Sequence, residues 1–305
     1  VPQRMHSRIS WTVALIICIL KVSRSKEMNT KIIYIIGTGH SGSTLLDLLL
    51  SSSKQVMGLG ELKYTKLFIE NIDPDNTRPE KEFVDDTMKR PEESAFWKHV
   101  VLGLNPDVMY DPTKGFFRRL GLFFSKEYLQ TEKNILSRAF KQAKQEKKDL
   151  SYIVDSSNDL LRLLLLNRIR GIEVIPVHLM RDGRGVVNSF EKIDRHWLST
   201  YIGWLLNNLI IRFIVRTKVS YDDLARNPDK TLQKLASKLK ISIPKKYLKT
   251  INSQTSYRFA GNWMRRKKLT AITYDESWKQ RMPKWKQWVL TVLCYIPNKL
   301  WVYNE

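Results

Sequence analysis

Cysteine is nearly missing from this chain: Cys18 and Cys294 are the only two in 305 residues. They are too few and too far apart for a disulfide framework or a thiolate zinc site, and a reducing compartment is the simpler reading. Acids are scarce as well. Thirty Asp and Glu stand against 52 Lys and Arg, a net charge of +22, which turns the surface toward anions such as nucleotides, sulfated or acidic acceptors, nucleic acid or lipid head groups without choosing among them. No HExxH, EF-hand or clustered Cys/His spacing occurs, so no metal is expected, and His6, His99, His178 and His196 read as structural. A long hydrophobic span is lacking too. Residues 11–20 are apolar between Arg4, Arg8, Lys21 and Arg24, a pattern similar to a short signal or anchor but shorter than the roughly 20 residues that cross a bilayer. The expectation is a cytoplasmic protein. Residues 1–27 are then either a leader that associates with the membrane or a segment outside the natural translation product, since Met28 stands just before the first strand.

What is present is a chain 43% apolar, enough for one large α/β domain with a sizeable core over residues 28–305. KIIYII (31–36) is a short continuous apolar run, the mark of a strand buried on both faces of a parallel sheet. A helix is expected over 45–50, further strands over 151–155, 173–180 and 213–220, and helices over 159–170, 183–193, 197–212 and 229–239. Residues 71–99 are acidic and aperiodic, and 116–148 alternate aromatic clusters with Lys/Gln-rich helical text, so about 65–150 reads as a helical insertion over the sheet. Alternation of strand and helix predicts a parallel sheet with helices on both faces.

Between the first strand and its helix lies Gly37-Thr-Gly-His-Ser-Gly42-Ser43-Thr44. The spacing is that of a phosphate-binding loop, but Ser43 stands where a nucleotide triphosphatase places its Lys. That argues against ATP or GTP hydrolysis and leaves the backbone cradle, with N–H groups from Gly42 to Leu45 at the positive end of the helix, free to hold one phosphate. A second segment, Val177 to Ser189, ends a strand in Arg181 and carries Ser189 eight residues on. A guanidinium pairs with phosphate in bidentate fashion, and a hydroxyl later in the helix can reach the same group.

The string GTGHSGSTLL (37–46) resembles the 5′-phosphosulfate loop of the sulfotransferases that use 3′-phosphoadenosine-5′-phosphosulfate (PAPS), and VHLMRDGRGVVNS (177–189) resembles that family's 3′-phosphate segment. The similarity is to the bacterial, tyrosylprotein-like and carbohydrate-like branch and spans about residues 31–266, with about 65–150 unmatched. It implies a three-layer fold like that of P-loop NTPases. It also implies PAPS as donor, held by Gly39, His40, Ser41, Gly42, Ser43, Thr44 and Leu45 on one phosphate and by Arg181 and Ser189 on the other. His40 falls where the family has a Lys or Arg that contacts the sulfate, and so takes a catalytic role; its ordinary pKa of about 6.5 leaves its charge to its surroundings. YIVDSS (152–157) resembles a family strand followed by Lys, where this chain has Asn158, and Ser156 there could face the nucleotide. AGNWMRR (260–266) sits where related enzymes close a basic loop over the nucleotide, which makes Asn262 and Arg265 candidates.

Gly60-Glu61 matches a Gly-Glu that supplies the catalytic carboxylate in the tyrosylprotein and bacterial branches, so Glu61 is the candidate general base. The implied acceptor is a hydroxyl or amine on a sugar, lipid, tyrosine or small molecule, with no nucleic acid expected and peripheral membrane contact left open. Two other readings stand beside this one. A kinase or nucleotide-binding protein with a degenerate loop is favoured by Asp155, which ends an apolar strand as a magnesium-binding Asp would. A non-catalytic basic module for nucleic acid or anionic membrane is favoured by the net charge and by Trp278, Trp285 and Trp288 among basic residues.

Overall fold

The structure is a computed structural model, and it describes residues 30–70, 85–87 and 89–303. A five-stranded parallel sheet in the order β2-β3-β1-β4-β5 forms its centre, from β1 (Thr30–Gly37), β2 (Val56–Gly58), β3 (Tyr152–Asp155), β4 (Ile172–Met180) and β5 (Thr217–Ser220). The apolar run of β1 is explained by its place: β3 and β4 flank it, and the pleat sends alternate side chains into two separate cores. Ile32, Tyr34 and Ile36 face one core, packed with Ile135, Leu136 and Ala139 of α2 (Lys126–Glu146) and Leu163 of α3 (Leu160–Leu166). Ile33 and Ile35 face the other, under Leu45, Leu46 and Leu49 of α1 (Ser43–Ser51). The expected three-layer α/β architecture is therefore present.

A third cluster builds the flank of the sheet from α4 (Gly183–Glu191), α5 (Trp197–Ile214) and α8 (Lys284–Trp301), through Val186, Val187, Trp204, Leu290 and Cys294. Beyond β5 lie α6 (Tyr221–Arg226) and the amphipathic α7 (Pro228–Leu239), which turns Leu232, Leu235 and Leu239 inward. Between residues 65 and 150, of which 71–84 and 88 lie outside the described residues, Thr65–Ile69, Trp97–Val101 and α2 lie over the first core.

One expected strand shifts, and one observed strand was not expected. The strand expected over 213–220 begins only at Thr217, because α5 runs on to Ile214 to bury Ile211 and Val215. The three-residue β2 is too short to give a sequence signal. Pro176, within β4, falls just before the stretch Val177–Met180 that pairs with β5, so its missing amide costs no bond on that side.

The expectation of a cytoplasmic chain that associates with the membrane through its N-terminal apolar segment is corrected. No helix among the described residues is long and apolar enough to cross a membrane, and residues 1–27 lie outside the described residues.

Candidate active site

β1 sits in the middle of the sheet; the chain leaves it toward β2 on one side, and β4 and β5 fill the other. That switch point, at the carboxyl end of β1, is where open α/β sheets hold ligands, and it is where residues 38–42 begin. Gly42 caps α1 at φ 92°, a left-handed backbone suited to glycine, and a side-chain carbon there would meet the Tyr221 ring at 2.5 Å. No side chain caps the helix, so the N–H groups of Ser43, Thr44 and Leu45 are left for a ligand. His40 also lies in the left-handed region at φ 61°, a strain that a non-glycine residue bears at a cost of about 1–2 kcal/mol. Its exposed ring packs edge-on against Phe190, centroids 4.6 Å apart, and the same Phe190 closes on Gly39. Ser41 is buried, its N–H bonded to the Thr38 carbonyl.

Arg181 reaches this loop from β4. It donates to the carbonyl oxygen of His40 at 2.8 Å and to Asp275 Oδ2 at 2.9 Å, and its guanidinium lies over the Tyr221 ring, 4.5 Å from the centroid. Burial works against the Asp275 carboxyl, but bonds from Ser277 and Arg181 prevail and bring it down to about 2. Gly185 links Arg181 to Ser189: a carbon on Gly185 would touch Arg181 Nε at 3.0 Å, and the Ser189 hydroxyl donates to the Gly185 carbonyl at 2.9 Å. The two segments singled out in the sequence thus meet in space.

The carboxylate side is assembled by the chain after β2. Glu61 opens a 3₁₀ turn, Leu62–Tyr64, and Lys63 Nζ lies 2.9 Å from its Oε2. Burial opposes charge on Lys63, yet the neighbouring Glu61 carboxylate carries its pKa well above the usual lysine range. A side-chain carbon on Gly261 would stand 3.3 Å from Thr44 Oγ1 and 3.4 Å from Glu61 Oε1. Glu61 and the start of α1 therefore face one point. The backbone N–H of Asn262 donates to Thr44 Oγ1 at 3.2 Å, which brings the 260–266 loop to the same place.

Two candidates point elsewhere. Ser156 is buried and donates to Asp47 of α1 at 3.3 Å, where Asp47 also receives Arg258 at 2.9 Å. Arg265 is drawn into an ion pair with Asp86 at 2.7 Å and lines a cavity of about 520 Å³ beside Ser51 and Gly58, past the far end of α1. Asp155 is likewise spoken for: it is fully buried and accepts from Arg162 Nε at 3.3 Å, while Arg162 also pairs with Glu132.

Five contributors went unread in the sequence. Asn158, noted only as a departure, sits at φ 52° and donates to Ser43 Oγ at 2.8 Å. Asn207 donates to the Gly37 carbonyl at 2.9 Å and Asn208 to Thr38 Oγ1 at 3.2 Å, so α5 holds the start of the loop. Their signal was visible as two amides inside an apolar helix. Asp275 and Lys63 had no such mark.

Solved structures similar to this chain include three sulfotransferases. The sulfotransferase domain of the Synechococcus PCC 7002 olefin synthase is 17% identical, TM-score 0.43, with 87% of this chain and 91% of that one covered. The domain from the curacin biosynthetic pathway is 16% identical, TM-score 0.46, over 89% and 98%. Sulfotransferase STF9 from Mycobacterium avium is 12% identical, TM-score 0.43, over 93% and 78%. No protein-family model matches the sequence, nor does any curated protein. At such low similarity the functional reading rests on this chain's own residues.

Proposed function

We propose that the protein is a sulfotransferase that takes a sulfuryl group from PAPS and delivers it to a hydroxyl or amine. The observation that carries the reading is the bond from Arg181 to the His40 carbonyl. It joins a phosphate loop without a Lys to a second cation placed for a second phosphate, a combination that a nucleotide bearing phosphates at both 3′ and 5′ positions needs and a triphosphatase does not.

In this reading the N–H groups of Ser43, Thr44 and Leu45 hold the 5′-phosphate at the positive end of α1. Arg181 and Ser189 grip the 3′-phosphate, Arg181 exchanging its bond to Asp275 for one to the nucleotide. Asn262, already against Thr44, belongs to a loop that covers the donor. Glu61, oriented by Lys63, takes the acceptor's proton as its oxygen or nitrogen attacks sulfur in line. His40 and the loop amides stabilise charge on the departing bridging oxygen. A sulfuryl group carries less negative charge than a terminal phosphoryl group, so the step has no need of a metal. The helices of residues 65–150 form the acceptor side. The kinase reading is weakened by Ser43 and by the commitment of Asp155 to Arg162.

Calorimetric titration of the full chain tests this with adenosine 3′,5′-bisphosphate, 5′-AMP, and ATP with magnesium. The bisphosphate should bind at least about tenfold more tightly than AMP, the worth of a charged hydrogen bond, and Arg181→Ala should erase the difference. Equal binding of AMP, or preference for ATP, would sink the proposal and bring the kinase reading forward.

A further inference from the structure

The open edge of the sheet at β5 borders a cleft of about 410 Å³, walled by α7 and by the ends of α5 and α8. Six cations line it, Arg212, Arg216, Lys218, Lys230, Lys234 and Lys238, against one carboxylate among the described residues, Asp223. Its deeper lining is apolar and buried: Met180, Val219, Leu235 and Trp301. Lys230, Lys234 and Lys238 recur at four-residue intervals on α7, which costs the helix a few tenths of a kcal/mol per like-charged pair. Burial and then the neighbouring Arg212 hold the Lys218 amine below the usual lysine range. Charge is therefore gathered here at a cost that a bound anion removes. Lysines beside an edge strand also discourage strand pairing, but that role needs neither a cavity nor an apolar lining.

The apolar lining continues out of the cleft. Leu300 lines it and is 47% exposed, and Ile296 one turn earlier in α8 is 65% exposed. Arg212 donates to the Leu300 carbonyl at 2.9 Å, which draws the ends of α5 and α8 together at this mouth. A small inorganic anion would use the cations and leave this apolar track bare.

We propose that the β5-edge cleft is a second anion site that takes an amphiphilic anion, a phosphate or sulfate head among the lysines of α7 with an aliphatic body along Trp301, Leu300 and Ile296. It is separate from the donor site, since neither Arg181, Ser189 nor the phosphate loop lines it, and it stands whether or not the sulfotransfer reading does.

Titration of the full chain with dihexanoyl phosphatidic acid below its micelle concentration tests the proposal, beside dihexanoyl phosphatidylcholine (the same body on a zwitterionic head) and inorganic pyrophosphate (a head with no body). Phosphatidic acid should bind at least tenfold more tightly than either and weaken with salt. Lys230→Glu combined with Lys234→Glu, both exposed on α7, should cost at least tenfold with the melting temperature unchanged. Leu300→Ser should weaken phosphatidic acid and leave pyrophosphate as it was. Arg181→Ala should change none of this. Equal binding of phosphatidylcholine, equal binding of pyrophosphate, or indifference to the charge reversal would each overturn the assignment. So would a hexaglutamate peptide binding as tightly as phosphatidic acid, which would give the cleft to acidic chains.

Discussion

Glu61 and Lys63 stand 2.9 Å apart with both side chains only 15% exposed, a bond that fixes the direction of the carboxylate while leaving it on the side of Thr44. Glutamine keeps that shape and loses the proton acceptor. With PAPS and an accepted hydroxyl substrate, Glu61→Gln should lower kcat by about 10²- to 10⁴-fold and leave the affinity for adenosine 3′,5′-bisphosphate within a few-fold of wild type. A loss confined to nucleotide affinity would instead make Glu61 part of the donor cradle. Lys63 also donates to the Ser157 carbonyl at 2.7 Å, so it ties the carboxylate to the end of β3 as well as to its own turn.

At the level of elements, the clasp between β4, α5 and the loop can be tested through a proton. His178 on β4 is fully buried and shares a 2.9 Å bond with Asn208, the residue that also reaches Thr38. Burial is the main cause that lowers its pKa to about 4. The unfolded chain takes up a proton near pH 6.5 where the folded one does not, so stability is full above that pH and declines as pH falls toward 4, by about 3 kcal/mol for this group. His178→Gln keeps a partner for Asn208 and removes the titration. Urea unfolding from pH 7 to 4 should therefore find the difference between wild type and His178→Gln shrinking by about that amount. A constant difference would show that His178 does not drive the acid response.

For the molecule as a whole, a ligand that binds only the folded chain adds stability by mass action, about 2.7 kcal/mol at a hundred times its Kd. Adenosine 3′,5′-bisphosphate at that concentration should raise the melting temperature by several degrees, and the same concentration of bisphosphate should shift Arg181→Ala by no more than about half as much, since a tenfold weaker site gains only about 1.4 kcal/mol there. Raising the salt should shrink the wild-type shift, since a chain of net charge +22 attracts the nucleotide over distances that ions screen. A shift of equal size with Arg181→Ala would place the ligand away from the loop.

The sequence by itself determined the order of the longer strands and the helices that follow them, the buried character of β1 and the position of the Gly-rich turn between β1 and α1. These depend on near neighbours: a continuous apolar run, a glycine that must turn left at Gly42, a helix start on the next residue. It also set Arg181 at the end of β4 and Ser189 on the helix after it, because strand end and helix phase fix their spacing. Only the tertiary structure decided what each candidate side chain meets. Arg181 finds Asp275 across 94 residues, and Asn207 finds Gly37 across 170. Ser156 and Arg265 are claimed by the buried charges Asp47 and Asp86. A buried polar group must be paired, at a penalty of about 1–3 kcal/mol if it is not, and the partner that satisfies it is whatever the packing of distant elements brings within 3 Å or so. Local pattern places a residue on a face; the fold decides what that face meets.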